Sequence, residues 1–198
     1  MRKIAFLLLL VICFFKLQAQ SITVTQEWNS LIKSLRDENW QETNRLSILC
    51  LDKVTASKTE DDIAALLRYM CIFSESALVN FNNVTQDEAI KKVAQFEGQA
   101  IMLPAYPVSV KFAPNSILTC NYKTDSLFIS ATNRAGTNIF CFEYIIPGNK
   151  WRLEDFNSSA GKFYRLKGIL KSISTEGHIL FPRFKLIIDQ VTYTSENH

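Results

Sequence analysis

Apolar positions follow two different periods along this chain, helical as far as Gly98 and alternating beyond it. Trp28, Leu31, Ile32 and Leu35 recur at helical spacing. Asp37 to Asn39 then supply capping side chains for a second helix that begins near Trp40 and continues through Leu46, Leu49, Cys50 and Val54. Two capping-box patterns follow. Thr59 with Asp62 opens a segment carrying Ile63, Leu66, Leu67, Met70, Phe73 and Leu78. Thr85 with Glu88 opens another carrying Ile90, Val93 and Ala94, and Gly98 closes it. The spacing therefore predicts a layer of four short helices over residues 20–98.

From Gln99 the period becomes two, and aromatic and β-branched residues collect between turn signals such as Asn133 to Gly136 and Pro147-Gly148-Asn149. The clearest strand is Thr137 to Ile146. Its alternation places Phe140, Phe142, Tyr144 and Ile146 on one face with Asn138, and Ile139, Cys141, Glu143 and Ile145 on the other, both partly buried. Val108, Val110 and Phe112 alternate with Ser109 and Lys111, and Leu127, Ile129 and Ala131 alternate with Phe128, Ser130 and Thr132. Closing segments run from about Phe163 to Ile173 and from Ile179 to Tyr193. The expected fold is α+β, with the helical layer packed on an antiparallel sheet formed by residues 99–198.

The two closing segments, Tyr164-Arg165-Leu166-Lys167-Gly168-Ile169-Leu170 and Phe184-Lys185-Leu186-Ile187-Ile188-Asp189, resemble the last two strands of an OB-fold barrel. In that fold a strand with a central glycine follows a short helix or loop, here Trp151 to Ser159, and pairs with a closing strand. The resemblance implies an OB-like barrel as one form of the sheet, and a strand face that binds oligomers.

At the other end, Arg2 and Lys3 precede an apolar run from Ile4 to Phe15 that is short for a bilayer span, and Ala19 offers a small residue for cleavage. Residues 1–19 read as a secretory signal peptide, which places the mature chain in the periplasm or outside the cell. Cys13 lies within the apolar run behind Ile12, a poor context for a lipid anchor. The Gln-Ala-Gln ending and the layout also resemble small exported proteins of Bacteroidota, a resemblance that implies a compartment and no activity.

Export changes the meaning of the charge. Of 22 basic residues, Arg2, Lys3 and Lys16 fall at the leader, so the mature chain has as many bases as its 19 acids. Net charge then gives no reason to expect nucleic acid as a partner. The charge is divided nonetheless: residues 20–98 sum to −4 and residues 99–198 to +4. Arg165, Lys167 and Lys171 share one parity in the first closing segment, and Arg183 and Lys185 share one in the second. These five form the candidate binding row, for an envelope protein or an anionic polymer.

Residue types limit the chemistry. His178 and His198 are the only histidines, there is no glycine-rich phosphate loop, and no cofactor or metal is expected. Cys50, Cys71, Cys120 and Cys141 remain after processing, open either to a Cys50–Cys71 and Cys120–Cys141 pairing or to ordinary burial as thiols. Glu143, on a mostly apolar strand, is the acid that stands out, with Glu154 and Asp155 as further candidates for a paired-carboxylate site. These observations favour a non-catalytic exported binding or assembly protein. A small carboxylate-dependent envelope hydrolase and a periplasmic inhibitor or immunity-type protein are the alternatives.

Overall fold

A computed structural model describes residues 26–57, 61–109, 118–121, 126–147, 161–176 and 182–196. Residues 1–25, with the expected signal peptide, Thr59, Val110, Phe112, the Trp151 to Ser159 segment and both histidines lie outside the described residues. Helix α1 (residues 26–36) is followed by α2 (Trp40–Ser57), α3 (Asp61–Asn80) and α4 (Gln86–Val93), which runs into a 3-10 turn (Ala94–Phe96). The strands are β1 (Ala100–Met102), β2 (Tyr106–Ser109), β3 (Leu118–Asn121), β4 (Ser126–Thr132), β5 (Ile139–Pro147), β6 (Phe163–Glu176) and β7 (Arg183–Glu196). The fold is α+β, and no helix among the described residues is long and apolar enough to cross a membrane.

Local chemistry sets the helix ends. The Asn39 side chain accepts the Glu42 N–H at 3.3 Å and starts α2, and a left-handed Glu38 (φ 55°) turns the chain between α1 and α2. Thr85 and Glu88 form the reciprocal capping box at α4, with the Glu88 N–H on Thr85 Oγ1 at 3.3 Å and the Thr85 N–H on Glu88 Oε2 at 3.2 Å. Gly98 then adopts φ 78°, a conformation that costs glycine little, and its N–H reaches Leu170 O on β6 at 2.8 Å. The helical layer is thereby hooked directly onto the sheet.

Helix α3 is the centre of the molecule. It packs on α2 and on β1, β5 and β7, and a single core continues from Leu31 and Trp40 through Leu67 and Ile72 to Leu127, Phe140, Leu166 and Phe184. Burial on nearly every side explains why Ser74, Ser76 and Glu75 are buried along with its apolar residues. Ser76 donates to Phe140 O at 2.5 Å and accepts from the Phe184 N–H at 3.3 Å. Asn80 donates to Pro182 O at 3.1 Å. The helix thus fixes the entry of β7 beside β5 by hydrogen bonds as well as by packing.

The strand order is β1-β6-β2-β3-β4-β5-β7, with β6 also paired to β7. Most pairings are antiparallel, but β2–β3 and β5–β7 are parallel, so the expected antiparallel sheet is in fact mixed. The segments that resembled an OB closing pair form the β6–β7 hairpin, in register from Phe163↔Glu196 to Glu176↔Arg183. Its outer edges meet β1 and β2 on one side and β5 on the other, curling the sheet back toward itself. The result is not a five-strand barrel. Seven strands take part, and from Lys171 to Glu176 no described strand pairs with the outer edge of β6.

A bulge corrects one expected face. Ala131 pairs with Cys141 but Thr132 pairs with Ile139, so Phe140 is the extra residue on β5. The parity changes there: Phe140 turns inward against Trp40 and Phe73, at ring separations of 5.1 and 5.3 Å, while Phe142 and Tyr144 keep the outer face. Cys141, Glu143 and Ile145 share one face as expected, and it is the buried inner face.

Gly168 lies at the register shift between Lys167 and Ile169, tight against β7. A Cβ there would lie 2.7 Å from the Asp189 carbonyl oxygen and 2.7 Å from Val191 Cγ2, and the first of these is backbone that cannot swing away. Gly168→Ala is therefore expected to destabilise the protein by about 1–3 kcal/mol, as overpacked sites do. Urea unfolding checks this, and an unchanged midpoint would show that the hairpin relaxes freely at this point.

Candidate functional site

A cavity of about 200 Å³ opens between the helices and the sheet. Leu66, Tyr69, Met70 and Phe73 line one side, spaced at three and four residues so that a single face of α3 carries all of them. Leu35 of α1, Pro104 and Tyr106 from the β1–β2 connection and β2, and Thr132 of β4 complete it. The lining is mostly apolar and, among the described residues, carries no charged side chain.

Polar groups are stacked behind two of these residues. Tyr69 Oη donates to Glu143 Oε1 at 2.6 Å, and the Tyr69 and Tyr106 hydroxyls lie 3.0 Å apart. With the Tyr69 proton committed to the carboxyl group, Tyr106 donates to Tyr69 and leaves its own lone pairs as acceptors. Glu143 is 0 % exposed, does not line the cavity, and its Oε2 has no hydrogen-bond partner among the described residues. Burial pushes its pKa up to about 8, the hydrogen bond from Tyr69 opposing this only in part. The carboxyl group is thus mainly protonated at neutral pH. Burial also raises both tyrosine hydroxyls well above their usual range, with the nearby Glu143 adding to the effect.

The five basic candidates do not converge. All lie away from the core face of the β6–β7 hairpin, but Arg165 is opposite Thr194 and Arg183 opposite Glu176, which spreads them over roughly 35 Å at about 3.3 Å per residue. Lys167 pairs with Asp62 of α3, Lys171 lies 3.9 Å from Asp189, and Lys185 lies 3.7 Å from Glu176. Arg183 stacks 4.7 Å from the Phe142 ring centroid and Lys185 4.9 Å from that of Tyr144. At least three of the five charges are therefore set against acids.

Cys50, Cys71 and Cys141 are buried free thiols. Cys71 is pushed up to about 12, chiefly by burial, and burial likewise raises Cys50 and Cys141, so all three lack the thiolate character that a nucleophile needs. The expected Cys120–Cys141 pairing fails on topology. Cys120 is on β3 and Cys141 on β5 with β4 between them, about 10 Å apart by strand spacing alone, beyond the reach of roughly 7 Å for a disulfide. Glu154 and Asp155 lie outside the described residues. Among the described residues, no group of three His, Cys, Asp or Glu side chains is placed to hold a metal ion.

Sequence reasoning singled out Glu143 but missed Tyr69 and Tyr106. Tyr69 falls within the periodic face of α3 and Tyr106 within a short segment between Pro104 and Pro107, and no spacing rule links positions so far apart. The one available signal was a charged residue alternating into an apolar strand face, which demands a polar partner from another element. Comparison with protein-family models, with curated proteins and with solved structures finds no match.

The raised Glu143 pKa has a definite sign for stability. The folded chain holds a proton between the ordinary carboxyl value of 4.5 and about 8 that the unfolded chain has released. Stability therefore falls as pH rises through that window and levels off above it. Glu143→Gln, which keeps an acceptor for Tyr69, is expected to remove this contribution, on the order of a few kcal/mol. Thermal melts of both proteins from about pH 5 to about pH 9 check it, and parallel curves would show that Glu143 ionises as it does in the unfolded chain.

Proposed function

We propose that the chain is a non-catalytic, exported binding protein of the cell envelope, and that its working surface is the apolar cavity between α1, α3 and the sheet. The observation that carries this reading is a cavity of about 200 Å³ with apolar walls and a small set of convergent polar groups, Tyr106 and Tyr69 backed by Glu143. Binding sites for small molecules share this design: apolar walls supply affinity and a few fixed polar groups supply orientation. The signal-like N-terminus supports the envelope as the setting. The dispersal of the basic row and its pairing with acids favour the cavity over the hairpin face as the point of contact.

A carboxyl group held protonated near neutral pH is also the form that a general acid takes, which is what favours the second reading, a carboxylate-dependent hydrolase. Such chemistry requires the acid to reach substrate and, in glycoside hydrolysis, a second carboxylate about 5–9.5 Å away. Glu143 touches a tyrosine hydroxyl and is closed off from the cavity, an arrangement better suited to tuning a binding wall.

Filling the cavity tests the proposal. Leu66 is a half-buried wall residue, so Leu66→Trp adds volume at its rim without disturbing the deep core. Wild-type protein incubated with envelope extract of its own organism and repurified should retain a small molecule visible in native mass spectrometry, and the variant should lose it. Equal retention by both proteins, or none by either, would sink the cavity reading.

A further inference from the structure

The cavity, taken as the binding site, has a back wall that can become negative and, among the described residues, nothing positive to balance it. Glu143 is approached by Tyr69 from α3, Tyr106 from β2 and Cys141 on its own strand, none of which can carry a positive charge. Among the described residues, no lysine or arginine lines the cavity. Buried carboxyl groups are ordinarily matched by a cation or a full set of donors, yet Oε2 of Glu143 has neither among the described residues. The walls have the matching chemistry: Tyr69, Phe73 and Tyr106 all line the cavity, the first two with their rings stacked 5.9 Å apart, and aromatic side chains around a site from which water is excluded attract cations. Tyr106, whose proton is engaged with Tyr69, offers acceptor lone pairs where a donor head group would sit.

We propose that the cavity binds a small organic ammonium ion, an alkyl- or arylamine, whose charge is balanced by Glu143 through the Tyr69 and Tyr106 hydroxyls. Size agrees with this class, since a cavity of about 150 Å³ accommodates benzene and this one, at about 200 Å³, has room for a ring with a short amine-bearing chain. Binding of the cation favours the ionised carboxylate, so the Glu143 proton leaves for solvent as the ammonium enters. The raised pKa of Glu143 means that this proton is still present at neutral pH, where its release can be measured.

The inferred ligand class depends on the cavity being the binding site, and calorimetric titration with two probes of nearly equal shape separates the two questions. Phenethylammonium and neutral phenethyl alcohol are titrated into the protein at neutral pH, in buffers of different ionisation enthalpy. The amine should bind about tenfold tighter or more, with release of up to one proton per molecule, and the alcohol should release none. Glu143→Gln should bring the amine down toward the affinity of the alcohol and abolish the proton release, and circular dichroism with a thermal melt shows that the variant is folded. Equal affinity of the two probes for wild-type protein would overturn the ammonium assignment and leave the cavity reading standing. Failure of both probes to bind would also overturn the assignment, and the fate of the cavity reading would then rest on the Leu66→Trp comparison.

Discussion

Wrapping one helix on nearly all sides is the constraint on which the rest of this structure depends. A helix in that position cannot be amphipathic in the usual way, and every polar group it carries inward needs a partner. Helix α3 meets that demand at specific places. Ser76 bridges the β5 and β7 backbones, Asn44 of α2 donates to Ser74 Oγ at 3.1 Å, Lys92 reaches over from α4 to Glu75 at 2.7 Å, and Tyr69 is bound to Glu143. Together these bonds join α3 to α2, α4, β5 and β7, so a few polar contacts define which element lies where. The apolar contacts supply most of the stabilisation but would tolerate sliding, whereas a misplaced Ser76 or Tyr69 leaves a buried group without its partner.

The same constraint creates the cavity. The face of α3 that carries Leu66, Tyr69 and Phe73 is not fully covered by α1 or by β2 and β4, and the space between them stays open. Phe73 also belongs to the aromatic cluster with Trp40 and Phe140, so one wall of the cavity is anchored in the deepest part of the core. A wall of this kind is preorganised and loses little entropy when a ligand arrives.

The physical reason why some features were legible in the sequence and others were not is the range of the interaction behind each. The Asn39 cap, the Thr85–Glu88 box, the break at Gly98 and the inward alternation of Leu127, Ile129 and Ala131 all depend on neighbours a few residues away, and they appear where expected. The α+β division was readable for the same reason. The inward turn of Phe140 was not, because it follows from one extra residue measured against β4, and alternation within β5 alone cannot show a bulge. Parity likewise gave Arg165, Lys167, Arg183 and Lys185 a common face but not their separation along the hairpin, which is set by register. Glu143 could be recognised as unusual, but its partners come from α3 and β2 and only folding brings them together.

The order of elements along the chain also bears on how the fold is reached. The helices make many of their contacts with near neighbours in sequence, whereas β1 pairs with β6 across more than sixty residues and β5 joins β7 in parallel. Strand β7, the last one described, is an interior member of the sheet, held by β5 on one edge and β6 on the other. The core-facing side of α3 that rests on β7 therefore has no cover until those 14 residues exist and have found their places. Completion of the core therefore waits on long-range pairing, and until the final hairpin docks the apolar face of the helical layer is open to aggregation.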